Sequence, residues 1–199
     1  MIEEVPGVTD DQIIIGTHTP VTGRIAFYAA LSTAEKAYFD YINETEGGVH
    51  GRKIKYLIGD DQGSPDKTEE VVRKLVEQDR IFAMFGGLGT PMHLRVADYL
   101  QENGVPDLFP ATGATEWTKN PSARPMLFNS TAGYVCTGAA LGKYIADTYP
   151  GKKLGLLFRN DDFGRDGIDG VKRGVGDALE VVGEETYERA DPDLNAQVD

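Results

Sequence analysis

Runs of apolar residues alternate with segments of helical periodicity along almost the whole chain. The first four apolar runs predict strands at Ile13–Thr17, Lys53–Gly59, Ile81–Phe85 and Val105–Phe109. Between them, apolar residues recur at helical spacing in Ala29–Ile42, Pro65–Gln78 and Pro91–Asn103. Strands that alternate with helices form βαβ units, so the pattern predicts an α/β protein with a largely parallel, doubly wound sheet.

A second series begins after an irregular stretch at 110–125. It comprises, in chain order, a short apolar segment at Met126–Asn129, a helix at Cys136–Tyr149, a strand at Lys153–Arg159, a helix at Gly167–Leu179 and a strand at Glu180–Tyr187. Its roughly 70 residues are few for an independent core, and the chain stops one turn into a further helix that Asp193 could cap. We therefore expect an N-terminal extension at 1–11, a first lobe at 12–125 and the incomplete start of a second lobe at 126–199.

Helical periodicity also predicts which residues face inward. For the first helix these are Ala30, Ala34, Ala37, Tyr38, Tyr41 and Ile42; for the second, Val71, Val72, Leu75 and Val76; for the helix after residue 136, Ala139, Ala140, Tyr144 and Ile145. Cys136 is the only cysteine, so no internal disulfide can form. A lone cysteine without a nearby base is expected to be a packed small residue.

The composition is that of an ordinary globular protein, with 40% hydrophobic and 26% charged residues. Because 32 acidic residues oppose 20 basic ones, the formal net charge is −12, which disfavours binding to nucleic acid or an anionic membrane. No stretch approaches the roughly 20 apolar residues of a membrane span. The acidic start at Met1–Gly7 is not a signal peptide; it fits a cytoplasmic protein or the mature form of an exported one.

Two glycine-rich turns follow neighbouring predicted strands. Gly86–His93 leads into the next helix and carries the hydroxyl of Thr90, and Pro110–Ala114 follows the fourth strand. Parallel strands bring their carboxyl ends to one edge of a sheet, where α/β proteins bind ligands. Backbone N–H groups at a helix N-terminus favour an anion. The turns therefore predict a site for a small carboxylate or phosphate.

Each of these features also has an interpretation without a ligand. Glycines occur in plain turns, and Thr90 before Pro91 is a good N-cap. Asp60 and Asp61 fit turn hydrogen bonding ahead of Pro65 better than a metal or phosphoacceptor site.

Little in the sequence supports catalysis. Gly87 and Gly89 begin a dinucleotide-binding pattern, but Met92 stands where the third glycine belongs, and no acidic residue ends the next strand at the expected distance. The three histidines lack metal-ligand spacing, and no nucleophile stands beside a base. We predict no catalytic, metal or cofactor residues, with a nucleotide-dependent α/β enzyme as an alternative.

A set of motifs extends over essentially the whole chain. In order, they are Val5–Gly16, Thr22–Gly23 with Tyr28, Ile42–Asn43 with Gly47–Ile54, Asp60–Asp61, Gly86–Thr90, Pro110–Thr115 and Asp162–Gly164. Together they resemble the type I periplasmic solute-binding proteins of ABC transporters, in the leucine/isoleucine/valine-binding group. The resemblance implies a periplasmic-binding-protein-like fold of two parallel-sheet lobes joined by hinge strands, with the ligand between them.

The resemblance also implies site residues. Thr90 falls where the family offers a hydroxyl to the ligand carboxylate, a second turn holds the ligand through backbone groups, and two aromatic residues close over it. The ligand-binding residues expected in this way are Tyr28, Leu88, Gly89, Thr90, Ala111, Thr112, Gly113 and Phe163.

The sequence departs from the branched-chain binders in three ways. Gly113 stands where they have a threonine, and Gly63 and Gly89 replace two cysteines. The acidic residue of the second lobe that meets the ligand ammonium would lie beyond Asp199. The ligand therefore stays open between an apolar amino acid and an aromatic or other apolar acid.

The expected function is the extracytoplasmic solute-binding component of an ABC importer. Its expected partners are a small carboxylate ligand and a transporter permease, and its expected location is periplasmic or extracellular. The incomplete second lobe predicts weak or absent ligand binding by this chain. A ligand-sensing receptor domain of the same fold is the alternative from another functional class.

Overall fold

The computed structural model describes residues 5–198, which form two compact units. The first unit holds the described residues up to Thr112 and those of Asn120–Thr131, and the second holds Gly113–Lys119 and the chain from Ala132 on. The strands are β1 (Gln12–Thr19), β2 (Lys53–Asp60), β3 (Ala83–Phe85), β4 (Asp107–Leu108), β5 (Leu127–Phe128), β6 (Lys153–Arg159) and β7 (Glu180–Tyr187). The α-helices are α1 (Ala29–Thr45), α2 (Pro65–Glu77), α3 (Thr90–Glu102), α4 (Glu116–Lys119), α5 (Tyr134–Thr148), α6 (Asp162–Val175) and α7 (Asn195–Val198).

The first unit is built on a five-stranded sheet in the order β2-β1-β3-β4-β5, in which every neighbouring pair is parallel. Successive side chains along each strand point to opposite faces of this sheet. Ile15 on β1 joins a cluster with Tyr56 and Ala83, against which Phe39 of α1 packs. Ile14, its neighbour on the strand, packs instead against the cluster of α2 and α3. The sheet therefore has helices on both faces, which confirms the predicted α/β class.

The main core of the first unit lies on the α2 and α3 face. Its buried residues are Val72, Leu75, Ile81, Met84, Val96, Leu100 and Val105. Val72 and Leu75 lie three residues apart on α2, so the apolar face predicted for this helix is confirmed. Pro65 begins the helix, as predicted, and the side chain of Ser64, which precedes it, makes no capping hydrogen bond.

The second unit is built on the parallel pair β6-β7, whose limits match the prediction. Leu156, Val171, Val175 and Leu179 form its buried core. Helices α5 and α6 pack very closely: a Cβ atom added at Gly138 would lie 2.4 Å from the Gly167 carbonyl oxygen, and one at Gly174 would lie 2.0 Å from the Ala139 carbonyl oxygen. A side chain cannot fit at these two positions without moving a helix.

Three predictions about these elements are wrong. On α1 the partly buried side includes Glu35 and Phe39, while Tyr38 and Tyr41 are exposed at 61% and 57%. On α5 the buried positions are Gly138 and Gly142, while Ala140 and Tyr144 are exposed. Cys136, expected to be packed, is also exposed.

Two further assignments change. Helix α6 begins at Asp162 rather than Gly167, because Asp161 caps it by accepting a hydrogen bond from the Gly164 N–H at 3.1 Å. The sequence predicts the segment at Met126–Asn129 as part of the second series, but β5 within it pairs with β4 in the first sheet.

Among the residues that the structure describes, no helix is both long and apolar enough to cross a membrane.

Candidate functional site

The two glycine-rich turns lie side by side at the carboxyl ends of β3 and β4. A parallel bridge pairs Leu88 with Ala111. The Ala111 N–H donates to the Gly87 carbonyl at 2.8 Å, and the Gly89 N–H reaches the Ala111 carbonyl at 3.4 Å. From β1 the chain builds the sheet first on one side, with β2, and then on the other, with β3. The turn that follows β3 therefore borders the switch point at which open α/β sheets bind ligands.

Two buried hydroxyls lie next to each other in this pair of turns. The oxygen atoms of Thr90 and Thr112 are 2.6 Å apart, and the two residues are only 2% and 1% exposed. The predicted N-cap role of Thr90 is wrong: the cap is Gly89, at φ 97°, and Thr90 is the first residue of α3. In the first turn of α3, Pro91 has no N–H and the His93 N–H donates to the Gly89 carbonyl, so the Thr90 N–H is the main-chain donor that this helix end places beside the hydroxyl pair.

The loop between β1 and α1 is held by Asp60. Its carboxylate accepts hydrogen bonds from the Val21 N–H at 2.9 Å, the Thr22 N–H at 3.1 Å and the Thr22 hydroxyl at 2.6 Å. Burial raises the pKa of Asp60, but these bonds and one from the Gln62 N–H outweigh it and lower the pKa overall. The turn role predicted for Asp60 fits this geometry. Tyr28, farther along the loop, is 42% exposed.

Four buried polar side chains form a continuous chain beneath the Gly86–Thr90 turn. His18 Nδ1 lies 2.9 Å from Asp61 Oδ2, His18 Nε2 lies 3.0 Å from His93 Nδ1, and His93 Nε2 lies 2.6 Å from Asp107 Oδ2. We call these four residues the buried relay. Burial, the largest influence, lowers the pKa of His18, although its hydrogen bond with Asp61 acts in the opposite direction. The neutral form of His18 is therefore favoured.

The relay also fixes the backbone above it. A Cβ atom at Gly87 would lie 2.5 Å from His18 Nε2, so only glycine allows the turn to approach this closely. The Leu88 N–H donates to the His18 carbonyl at 3.2 Å, and the His93 N–H donates to the Gly89 carbonyl at 2.9 Å.

On its other side the turn approaches a half-buried carboxyl group. A Cβ atom at Gly86 would lie 2.4 Å from Glu35 Oε1, and the Tyr56 hydroxyl donates to Glu35 Oε2 at 2.5 Å. Burial raises the pKa of Glu35, and the hydrogen bond from Tyr56 offsets part of that rise. Burial and the bond to Glu35 together raise the pKa of Tyr56. In the described part of the chain, no three side chains of His, Cys, Asp or Glu are grouped to hold a metal ion.

The remaining predicted site residues, Gly113 and Phe163, belong to the second unit. The Gly113 carbonyl accepts the Tyr134 N–H at 2.7 Å, and a Cβ atom at Gly113 would lie 2.3 Å from the Ala132 carbonyl oxygen. Phe163 contacts the Tyr134 ring edge to face at 5.0 Å, and the Arg159 guanidinium lies 5.0 Å from its centroid. The structure thus brings together the Leu88–Thr90 and Ala111–Thr112 positions, whereas Tyr28 lies in a separate loop of the first unit.

Sequence reasoning missed the buried relay. Its four residues are far apart along the chain, and only the assembled fold brings them together. A signal was nevertheless present: Asp107 is a polar residue inside a segment predicted as a buried strand, and His18 directly follows another such segment. A buried polar group needs a hydrogen-bond partner, so each of them pointed to a second polar residue nearby.

Comparison with known proteins finds relatives over nearly the whole chain. A family model described as periplasmic binding protein matches residues 12–199. The leucine-, isoleucine-, valine-, threonine- and alanine-binding protein of Pseudomonas aeruginosa is 28% identical over 190 residues, which are 94% of this chain and 50% of that protein. The chain therefore spans about half the length of this relative.

Solved structures show the same relationship. A substrate-binding periplasmic protein from Ralstonia solanacearum matches with a TM-score of 0.83 and 26% identity, over 94% of this chain and 52% of that one. A fatty acid ABC transporter substrate-binding protein from Thermomonospora curvata matches with a TM-score of 0.84 and 25% identity, over 98% of this chain and 49% of the other. Here too, the match covers nearly all of this chain and about half of the other.

Proposed function

Since the chain belongs to the periplasmic binding protein family, we propose that it captures a small carboxylate ligand as part of an extracytoplasmic solute-binding component of an ABC importer. The permease of that importer is the proposed protein partner, and the periplasm or cell exterior is the proposed location. The ligand class is an apolar amino acid or another apolar acid, in keeping with relatives named for amino acids and for a fatty acid.

The observation that carries this proposal is the pair of turns at the switch point. Leu88–Thr90 and Ala111–Thr112 combine a helix N-terminus, main-chain groups and two hydroxyls in a small volume. A carboxylate accepts hydrogen bonds from such donors, and the helix dipole favours its negative charge. The Thr112 hydroxyl can donate to the Thr90 oxygen, and the Thr90 O–H can then donate to a ligand oxygen.

We further propose that Tyr28, Gly113 and Phe163 complete the ligand site in the full-length protein. Tyr28 and Phe163 are 42% and 41% exposed and offer aromatic surface to an apolar ligand. At Gly113 the lack of a side chain is explained by the close Ala132 carbonyl. The hydroxyl that the branched-chain binders have at this position is therefore not simply restored by substitution.

Nuclear magnetic resonance of the ¹⁵N-labelled chain tests the proposal, because shift changes reveal even millimolar binding. Leucine, benzoate and a short fatty acid are each titrated in, with leucinamide as the control that lacks a carboxylate. We expect at least one acid to move the amide signals of Leu88–Thr90 and Ala111–Gly113, and leucinamide to leave them in place. Shifts confined to other residues, or equal shifts with leucinamide, would contradict a carboxylate site here.

A matched pair of variants sharpens this test. Thr90→Val removes one hydroxyl of the pair and should weaken binding of the acid by about 1.5–3 kcal/mol, or roughly 10- to 150-fold, if it makes a hydrogen bond to the charged ligand. Thr33→Val removes an exposed α1 hydroxyl that bonds only to its own helix and should not change the affinity. An unchanged affinity in Thr90→Val would remove Thr90 from the site.

A further inference from the structure

The buried relay contains more hydrogen-bonded contacts than its neutral imidazoles have protons to fill. It has three contacts in a row, from Asp61 to His18, from His18 to His93 and from His93 to Asp107. In each contact both atoms are imidazole nitrogens or carboxylate oxygens. A hydrogen bond between two such atoms needs one proton, which one of them carries. Two neutral imidazoles supply two protons and two carboxylates supply none. One contact would therefore set two lone pairs against each other among buried residues.

The surroundings of the two carboxyl groups show where the missing proton belongs. The ionised form of Asp61 is stabilised by hydrogen bonds. Its carboxylate accepts one from the Gly63 N–H at 2.7 Å and one from the Thr68 hydroxyl at 3.2 Å, in addition to its contact with His18. Asp107 is only 3% exposed, and its Oδ1 atom has no hydrogen-bond partner in the described structure. A bare carboxylate is therefore costly at Asp107 and acceptable at Asp61.

This asymmetry fixes the direction of the chain of bonds. His18 Nδ1–H donates to Asp61, and His93 Nδ1–H donates to His18 Nε2. The third proton then lies in the 2.6 Å contact between His93 Nε2 and Asp107 Oδ2. Hydrogen bonds in which one partner is ionised are shorter than neutral ones, which agrees with this short contact. The relay as a whole carries one negative charge instead of two.

We propose that the buried relay binds one extra proton at neutral pH and that this proton holds the Gly86–Thr90 turn in place. The link to the turn is direct, since Gly87 lies against both imidazoles and the Leu88 N–H bonds to the His18 carbonyl. Helix α2 contributes only the Thr68 hydroxyl to the relay, and α1 contributes Glu35, which faces Gly86 on the other side of the turn.

The extra proton gives stability a defined pH dependence. Above about pH 7.5 the unfolded chain has neutral histidines and ionised aspartates, so folding takes up one proton, and the unfolding equilibrium constant should rise about tenfold per pH unit. Below about pH 6 the unfolded chain binds two protons on these histidines and the folded relay holds one, so stability falls in that direction too. A relay with only two protons would instead give no change on the alkaline side.

The protons can be counted directly in the unmodified chain. Ring ¹⁵N signals of the histidines and carboxyl ¹³C signals of the aspartates report which atoms carry hydrogen, and exposed His50 provides the signal of a solvent-accessible ring. We expect His18 to be protonated only at Nδ1, His93 at Nδ1, and one further proton on His93 Nε2 or the Asp107 carboxyl. A total of two protons on the four side chains near pH 7.5 would overturn the proposal.

Two variants test the link to stability and to the turn. Asp107→Asn places a permanent N–H donor opposite His93 Nε2, so the third proton is no longer needed. The control, Thr68→Val, removes a hydroxyl that donates to Asp61 and leaves the proton count unchanged. Between about pH 7.5 and about pH 9 the unfolding constant of Asp107→Asn should lose the tenfold rise per unit that the parent chain and Thr68→Val both show. The amide signals of Gly86–Thr90 should stay fixed while the tenfold rise persists, because the folded relay then keeps its proton. They should move in the parent chain and Thr68→Val only at the higher pH where the rise levels off, and stay fixed there in Asp107→Asn.

Equal slopes in all three proteins, or turn signals that do not move in the parent chain at the pH where its rise levels off, would refute the proposal. Neither measurement uses a ligand. Failure here therefore leaves the proposed carboxylate site untouched, and failure of ligand binding leaves the proton count untouched.

Discussion

The paired hydroxyls of Thr90 and Thr112 should show strong energetic coupling. Replacing Thr112 by valine keeps the volume of the side chain but leaves the Thr90 hydroxyl, which is 2% exposed, without the partner that lies 2.6 Å away. An unsatisfied buried hydroxyl costs about 1–3 kcal/mol. Replacing both residues by valine puts two apolar groups in contact and removes that penalty. The double variant should therefore be closer to the parent chain than the sum of the two single variants predicts.

Urea unfolding measures this coupling. The NMR signals of the α3 amides report on unfolding of the first unit. If the free energy of unfolding falls by about 2 kcal/mol and the m-value is about 2 kcal/mol/M, the urea midpoint falls by about 1 M. We expect Thr112→Val to shift the midpoint by about that amount and the double variant by clearly less than the sum of the two single variants, with a coupling energy of about 1–3 kcal/mol. Thr33→Val, at an exposed position, should give no such shift. Additive effects of the two single variants would show that the hydroxyls do not stabilise each other.

Three other variants test separate features. Gly113→Thr should destabilise the second unit by about 1–3 kcal/mol, because its Cβ atom would lie 2.3 Å from the Ala132 carbonyl, and Trp117 fluorescence in urea would follow the loss. Gly167→Ala should stabilise the chain by about 0.5–1 kcal/mol in thermal melts, since the Cβ atom meets nothing within 4 Å and alanine favours the helix. Because the pKa of Asp60 is lowered by its hydrogen bonds, its contribution is present above the ordinary aspartate pKa and lost as the pH falls through the lowered value. Asp60→Asn should reduce that acid sensitivity, which unfolding curves from about pH 5 to about pH 2.5 would reveal.

The order of strands and helices was predictable because each element has its own periodic signal. The α/β class followed from that alternation, and the limits of β6 and β7 were predicted to the residue. The inward side of α1 was not predictable, because this helix has aromatic residues on more than one side: Tyr38, Phe39 and Tyr41. Phe39 faces inward because it packs against Tyr56 and Phe85.

Close packing of glycines has no hydrophobic signal at all. The buried side of α5 is defined by Gly138 and Gly142, so a search for apolar residues selected Ala140 and Tyr144 instead. A single sequence also does not show which strands pair. The pairing of β5 with β4 in the first sheet was therefore not predicted.

At the candidate site, local signals predicted the glycine-rich turns, and sheet geometry predicted that they would meet. The hydrogen bond between Thr90 and Thr112 follows once the turns are paired. The roles of Tyr28, Gly113 and Phe163 rest on resemblance and stay predictions. The buried relay depends on four elements at once, so it could be found only after the sheet had been assembled.

The exposure of Cys136 has a practical consequence. It is the only thiol in the chain and lies on the outside of α5, two residues from the buried Gly138. A maleimide dye or a nitroxide spin label would therefore attach at one known position without any substitution. Paired with a second thiol introduced in the first unit, such a label would allow the separation of the two units to be followed by energy transfer or electron resonance.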